Sequence, residues 1–237
     1  MIFDILVLSS GPIFLIVWFF YHLHTWKRIN LSKSVNVFLF TFFLGFVALV
    51  IETQISKYTV LYLDAEELLN KIGFLFFAVS FTEEIIKILP VLIFVYKKDF
   101  FEEPYDAIFY TIIAGASLSF FENNLYIWSE GFGVVIPRTF LALPAHTLTA
   151  AFSGYFIGLA FLSKSKKTEI IYIFVGLFIA MLLHFAYNLI FTIIETNQLL
   201  IGIIFLVVFW GIALKLMKKH IKLSPYKPHN LYFSDIF

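Results

Sequence analysis

The chain of 237 residues contains no cysteine. Disulfides, cysteine-ligated zinc and thiol nucleophiles are therefore excluded together. Charge is scarce as well: Asp, Glu, Lys and Arg make up 14% of the chain, against about 25% in soluble domains. The formal net charge is +1, so no global basic or acidic field points to a nucleic-acid partner. Apolar residues take the remaining space, at 61% of the chain with 32 phenylalanines and a mean hydropathy of +0.91. That balance belongs to a polytopic membrane protein. No linker, second domain or internal repeat stands out, and the lack of a repeat disfavours inverted-repeat transporter folds. The first apolar stretch has no basic leader and reads as a retained helix, not a cleaved signal.

Runs of about 20 apolar residues cross a bilayer core as helices. Seven are expected, at 3–23, 35–52, 72–96, 106–128, 138–162, 170–194 and 198–217. The expected fold is an all-α membrane helix bundle of about seven transmembrane helices, forming a single integral membrane domain over 1–237. Most of the phenylalanines are expected to face lipid. Loop Lys and Arg set the orientation. Thirteen fall on one side, from Lys27, Arg28 and Lys33 through Lys97 and Lys98 to Lys227, and three on the other, Lys57, Lys71 and Arg138. This bias predicts an outer N-terminus and a cytoplasmic C-terminus. His22 and His24, beside the first basic loop, read as interfacial residues.

Against this background the stretch SFTEEIIKILP is out of place, with Glu83, Glu84 and Lys87 in five consecutive positions of a span. A charge at the bilayer centre costs at least about 2.5–3.5 kcal/mol. An ion pair explains Lys87, as a structural charge partner, and one glutamate. It leaves the other glutamate, Glu122 in FFENNLY, His146 in LPAHTLTAAFSG, and His184 with Asn188 in LLHFAYNLI. With alternating span directions and 1.5 Å of rise per residue, all of these fall within a band about 15 Å deep. Each heads a stripe of small residues at i+4 spacing, as in His146, Ala150, Gly154 and Gly158 or Gly176, Ala180, His184 and Asn188. Small residues mark close helix packing in membranes. The stripes therefore turn the polar groups inward, to a water-filled cavity toward the outer face.

Two adjacent carboxylates beside a lysine suit a general base that takes a proton from water and returns it to a leaving amine. Histidines at the same depth can bind an oxyanion, orient water or ligate a metal. Glu122, His146 and His184 offer three ligands for a divalent metal such as zinc, without the HExxH signature. A mechanism with glutamate and water alone needs no cofactor. Ser153 in AFSG, with His184 as its base, is a competing nucleophile, although the first glycine of a GxSG is missing. Tyr105–Asp106 resembles half of an aspartyl-protease signature with no GxGD after it. Intramembrane carboxylates and histidines also build proton relays, so a transporter or ion pathway is the rival class.

Four motifs in order, EEIIK, FENNLY, PAHTLTAAFSGYFIG and HFAYN, resemble the PrsW family of intramembrane proteases. That family lies within the superfamily of CAAX prenyl endopeptidases and Abi or CPBP proteins. The resemblance covers about 75–195, taken as the catalytic core, and leaves out the first, second and seventh spans. Where the family has DG, this chain has Asp106–Ala107. Where the family has GFA, it has Ser117–Leu118–Ser119. The resemblance implies an endopeptidase that cleaves a membrane-associated protein or peptide, such as an anti-sigma factor or a secreted peptide precursor. It implies Glu83 or Glu84 as the base, His184 and Asn188 holding an oxyanion or a metal, and Glu122 and His146 completing the cavity.

Overall fold

The computed structural model describes residues 2–23, 29–62, 67–194 and 196–227, and among them all regular structure is helical. Helix α1 (Ile2–Leu23) and α2 (Leu31–Tyr62) precede a broken rod. This rod consists of α3 (Glu67–Gly73), a π-helical stretch at Phe74–Ser80, and α4 (Phe81–Phe94). Helix α5 (Pro104–Glu130) passes through a 3-10 turn at Phe132–Val134 and the short α6 (Val135–Pro137). A second π-helical stretch, Arg138–Ala142, then opens α7 (Leu143–Leu162). Helices α8 (Lys166–Ile193) and α9 (Gln198–Lys222) follow.

Helical structure coincides with each of the seven expected apolar runs, the third as the broken rod and the fifth as a π-helical stretch with α7. Four segments, Leu31–Lys57, Phe132–Leu162, Lys166–Ile193 and Gln198–Lys222, are long and apolar enough to cross a membrane by length and composition. Phe14, Phe43, Phe77, Phe140 and Phe174 stand exposed on the outside, as expected of lipid-facing residues, but Phe20, Phe101, Phe109, Phe121 and Phe152 are buried in the core, so the expectation holds only in part. Of the residues used for orientation and interface, His24, Lys27 and Arg28 lie outside the described residues.

Helix α5 is the axis of the bundle. Every residue from Pro104 to Ser119 is buried, and α1, α2, α4, α7 and α9 all pack on it. Its start is well specified. The Glu102 and Glu103 backbone N–H groups donate to Asp106 Oδ2 at 2.9 and 3.2 Å, and Pro104 occupies the first turn, where its missing N–H costs nothing. Asp106 is thus a helix cap, which removes it from the acid chemistry that its Tyr-Asp pairing evoked.

The small-residue stripes lie where expected. A Cβ on Gly115 would come within 2.6 Å of the His146 carbonyl oxygen, so α5 and α7 touch backbone to backbone. Further along the seam, a Cβ on Gly154 would meet Ile108 Cα at 2.7 Å. Gly176 lets α8 rest on Phe156 and on the Ser153 carbonyl. Side-chain donors fasten the outer helices to α5: Tyr105 to the Phe20 carbonyl at 2.8 Å, Tyr110 to Asn30 at 3.1 Å and Ser117 to Phe38 at 2.6 Å.

Candidate active site

At the end of the bundle where α4 and α7 begin and α5 and α8 finish, five helices enclose a cavity of about 580 Å³. Glu83, Glu122, His146, His184 and Asn188 line it, on α4, α5, α7 and α8. These polar residues, placed at one depth on four helices by the sequence, do meet. The sequence carried no signal for two details, the π-helical stretches that directly precede α4 and α7. A π-helical turn carries an extra residue, so it offsets the faces before and after it by roughly 100°. Glu83 and Glu84 follow one such stretch and His146 follows the other.

The side chains form two tiers. In the inner tier Lys87, fully buried, donates to Glu84 Oε1 at 2.6 Å and to Thr149 Oγ1 at 3.1 Å. The same Glu84 oxygen is 2.8 Å from His184 Nδ1. Glu84 is therefore a buried anchor held by a lysine in front of an imidazole. Nearer the cavity, Glu83 Oε2 faces His146 Nδ1 at 3.6 Å and His184 Nε2 at 3.8 Å. The second nitrogen of His146, Nε2, is 3.3 Å from Glu122 Oε2. Each imidazole thus presents one nitrogen to Glu83 and the other to a further carboxylate. Glu83 Oε2, Glu84 Oε2, Glu122 Oε1 and His146 Nδ1 are buried without a hydrogen-bond partner.

Sequence reasoning missed Arg138, which was counted only as a loop charge. It donates from Nη2 to Glu122 Oε2 at 2.8 Å and from Nε to Asn123 Oδ1 at 2.7 Å, and its guanidinium lies 3.8 Å from the centre of the Tyr126 ring. All three partners belong to FENNLY, so one arginine clamps the whole motif and aims Glu122 at His146. Glu52 of α2 was also missed, although it lines the same cavity. The only sequence signal for either was a charged residue within a few positions of an apolar run.

Asn188 is half-buried on the cavity wall one turn beyond His184. Ser153 is elsewhere: its hydroxyl donates to the Ala150 carbonyl at 2.9 Å, within its own helix, and it packs in the α7–α8 seam without lining the cavity.

One carboxylate oxygen and one nitrogen from each histidine, from Glu83, His146 and His184, lie within 4.8 Å of one another and are buried. A carboxylate behind each metal-facing imidazole is the usual second layer of a histidine site. The residues present therefore fit a small divalent ion. Glu83 takes the place among the ligand atoms that spacing alone had offered to Glu122, because Glu122 is drawn to Arg138 and to the far nitrogen of His146.

A helical membrane bundle whose interior gathers carboxylates and imidazoles around a cavity has the make-up of an intramembrane hydrolase. The sequence model for the PrsW family of intramembrane metalloproteases matches residues 31–213, and the chain belongs to that family. Protease PrsW of Clostridioides difficile (strain 630) is 25% identical over 225 residues, 93% of each chain. Protease PrsW of Halalkalibacterium halodurans is 24% identical over 216 residues, 91% of this chain and 96% of the relative. Protease PrsW of Bacillus subtilis (strain 168) is 30% identical over 189 residues, 79% of this chain and 84% of the relative. No solved structure matches. The family match takes in α2 and most of α9, beyond the 75–195 stretch that carries the motifs. The chain is thus a multi-pass membrane protein of an intramembrane protease family, and membership lends the transport reading no support.

Proposed function

We propose that the cavity is a hydrolytic centre that cuts a peptide bond of a membrane-associated polypeptide. The observation that carries this reading is the pairing of each imidazole, one nitrogen toward Glu83 Oε2 and the other against Glu84 or Glu122. A proton relay needs no such convergence on one point. A hydrolase does, because water must be held and deprotonated beside the scissile carbonyl.

Glu84, fixed by Lys87, and Glu122, fixed by Arg138, hold the two imidazoles in orientation. A divalent metal would be held by Glu83, His146 and His184, and would supply Lewis-acid polarisation of the carbonyl and a more acidic water. The proton of the attacking water passes to a carboxylate oxygen without a partner. This is Glu83 Oε2 where the imidazoles alone hold the water, and Glu122 Oε1 where Glu83 serves as a ligand. The same carboxyl group returns the proton to the leaving amine. Asn188, one turn from His184, donates its amide to the oxyanion of the tetrahedral intermediate. In this reading the 75–195 stretch is the catalytic core, and the bias of the loop charges supports a cavity toward the outer face with the C-terminus in the cytoplasm. Substrates of the class expected from the resemblance, an anti-sigma factor or a secreted peptide precursor, present a peptide at that depth.

The test is cleavage of single-span peptides by purified protein, read by mass spectrometry, with elemental analysis of the chelator-washed enzyme. Glu83→Gln should lose about 10²–10⁴ in rate while the protein accumulates normally. Full activity in Glu83→Gln would overturn the reading. A stoichiometric metal that is absent from the His146→Ala and His184→Ala proteins would assign the ligand set directly.

A further inference from the structure

The hydrolytic arrangement leaves one acidic side chain of the cavity without a task. On α2, Gly45, Ala48, Leu49 and Glu52 line the cavity, at the spacing of one helix face. Val50 and Ile51, between them, are exposed on the outside. Glu52 therefore points inward by its place on the helix. Its Oε1 is shut off from solvent without a hydrogen-bond partner, and among the described residues Glu52 makes no ion pair.

The other carboxylates of the cavity differ in this respect. Glu84 has Lys87 and His184, Glu122 has Arg138 and His146, and Glu83 faces both imidazoles. Glu52 shares the cavity with Glu83 and Glu122, and the cavity's one arginine, Arg138, is paired with Glu122 and not with Glu52 among the described residues. An inward carboxylate with no internal cation is costly in a membrane bundle. A cation that arrives with the substrate removes that cost. The path to Glu52 is also suited to a long basic side chain. Leu49, Leu118 and Phe121 line the same cavity and offer an apolar wall for its methylene stem.

We infer that Glu52 is a specificity subsite for a Lys or Arg side chain of the substrate, close in sequence to the scissile bond. This inference rests on the reading of the cavity as a hydrolytic centre and adds the class of substrate it selects. Glu52 touches no reacting atom. It acts by pairing a carboxylate with an ammonium or guanidinium group in a poorly solvated setting, where such a bond is stronger than at a surface.

The experiment uses the purified full-length protein and synthetic peptides. Each peptide has one apolar span and a juxtamembrane segment that carries Lys, Arg, Gln or Glu at each of six successive positions. The readout is the ratio of kcat/KM for basic over neutral peptides, which is insensitive to the fraction of protein folded. The wild-type ratio should be at least about tenfold at one position, as expected for a charge-assisted hydrogen bond. Glu52→Gln should bring the ratio close to unity, and Glu52→Lys should turn it in favour of the Glu peptides. An unchanged ratio in Glu52→Gln, at any overall rate, overturns the subsite. So does loss of all cleavage in both variants, because a specificity group leaves the peptide-bond chemistry in place. Wild-type cleavage with no basic preference overturns the subsite alone. Absence of any wild-type cleavage overturns the hydrolytic reading and the subsite with it.

Discussion

The two ends of the bundle use the same residue types for opposite ends. At the end away from the cavity, Glu169 accepts from Lys97 at 2.7 Å and from Lys166 at 3.0 Å, Asp106 caps α5, and the Tyr226 hydroxyl donates to Glu102. Charges there close on one another and fasten loops to helices. At the cavity end, Glu83 Oε2 and His146 Nδ1 are buried and face each other at 3.6 Å without a hydrogen bond. Polar groups that are kept buried and unsatisfied need a reason, and a site waiting for water, metal or substrate is one. Among the carboxylates named here, what separates fastening from function is whether the partners have already met, although His220 at the far end is also buried with neither ring nitrogen hydrogen-bonded.

That contrast can be broken by substitution. The largest effect among the supporting residues should come from Asn188→Ala, which removes a donor to the oxyanion. Cleavage should fall by about 10²–10³, with little change in capture of a crosslinkable peptide. An unimpaired rate would strip Asn188 of its role. Lys87→Met should instead act on stability, because it leaves Glu84 buried beside a neutral side chain. The loss should be about 3–5 kcal/mol, read as a lower midpoint of thermal unfolding in detergent. A stable Lys87→Met protein would show that the inner tier does not depend on this ion pair.

Arg138→Gln tests the clamp on FENNLY. Residues that orient a ligand imidazole usually contribute about 10–100-fold to activity or metal affinity. The expected loss is in that range, accompanied by weaker metal retention if His146 is a ligand, and Arg138→Lys should rescue it only in part because a lysine cannot fork between Glu122 and Asn123. At the opposite end, Glu169→Gln breaks two ion pairs whose lysines are half exposed or more. Its effect on stability should stay below about 1 kcal/mol, with no change in cleavage. A large loss of cleavage in Glu169→Gln would show that the two ends are coupled after all.

Much of this was legible in the sequence. Glu83, Glu84, Glu122, His146, His184 and Asn188 were grouped by depth and by the faces of their helices; the structure brings five of them to one cavity and sets Glu84 behind it, against His184. Depth follows from counting residues, and facing follows from the small-residue stripes, because both depend on one helix at a time. The partner of each group did not follow. Whether Glu83 or Glu122 stands among the ligand atoms depends on how α4, α5 and α7 cross, and on two π-helical offsets that no pattern in Phe74–Ser80 or Arg138–Ala142 announces. Arg138 and Glu52 were overlooked for a related reason. A charge at the edge of an apolar run is normally solvated, and only the fold shows that these two turn inward.

The burial of α5 has a consequence for how the protein is made. This helix is enclosed from Pro104 to Ser119 and carries Asp106, Thr111, Ser117, Ser119, Glu122 and Asn123, and it is not among the segments apolar enough to cross a membrane unaided. Its neighbours Leu31–Lys57 and Phe132–Leu162 are. A helix of this make-up is expected to settle in the membrane together with its neighbours, of which α7 is the principal one. Glu122 rides on that helix and His146 on the partner that shelters it. The pair that lines the cavity is therefore expected to come together as α5 and α7 dock.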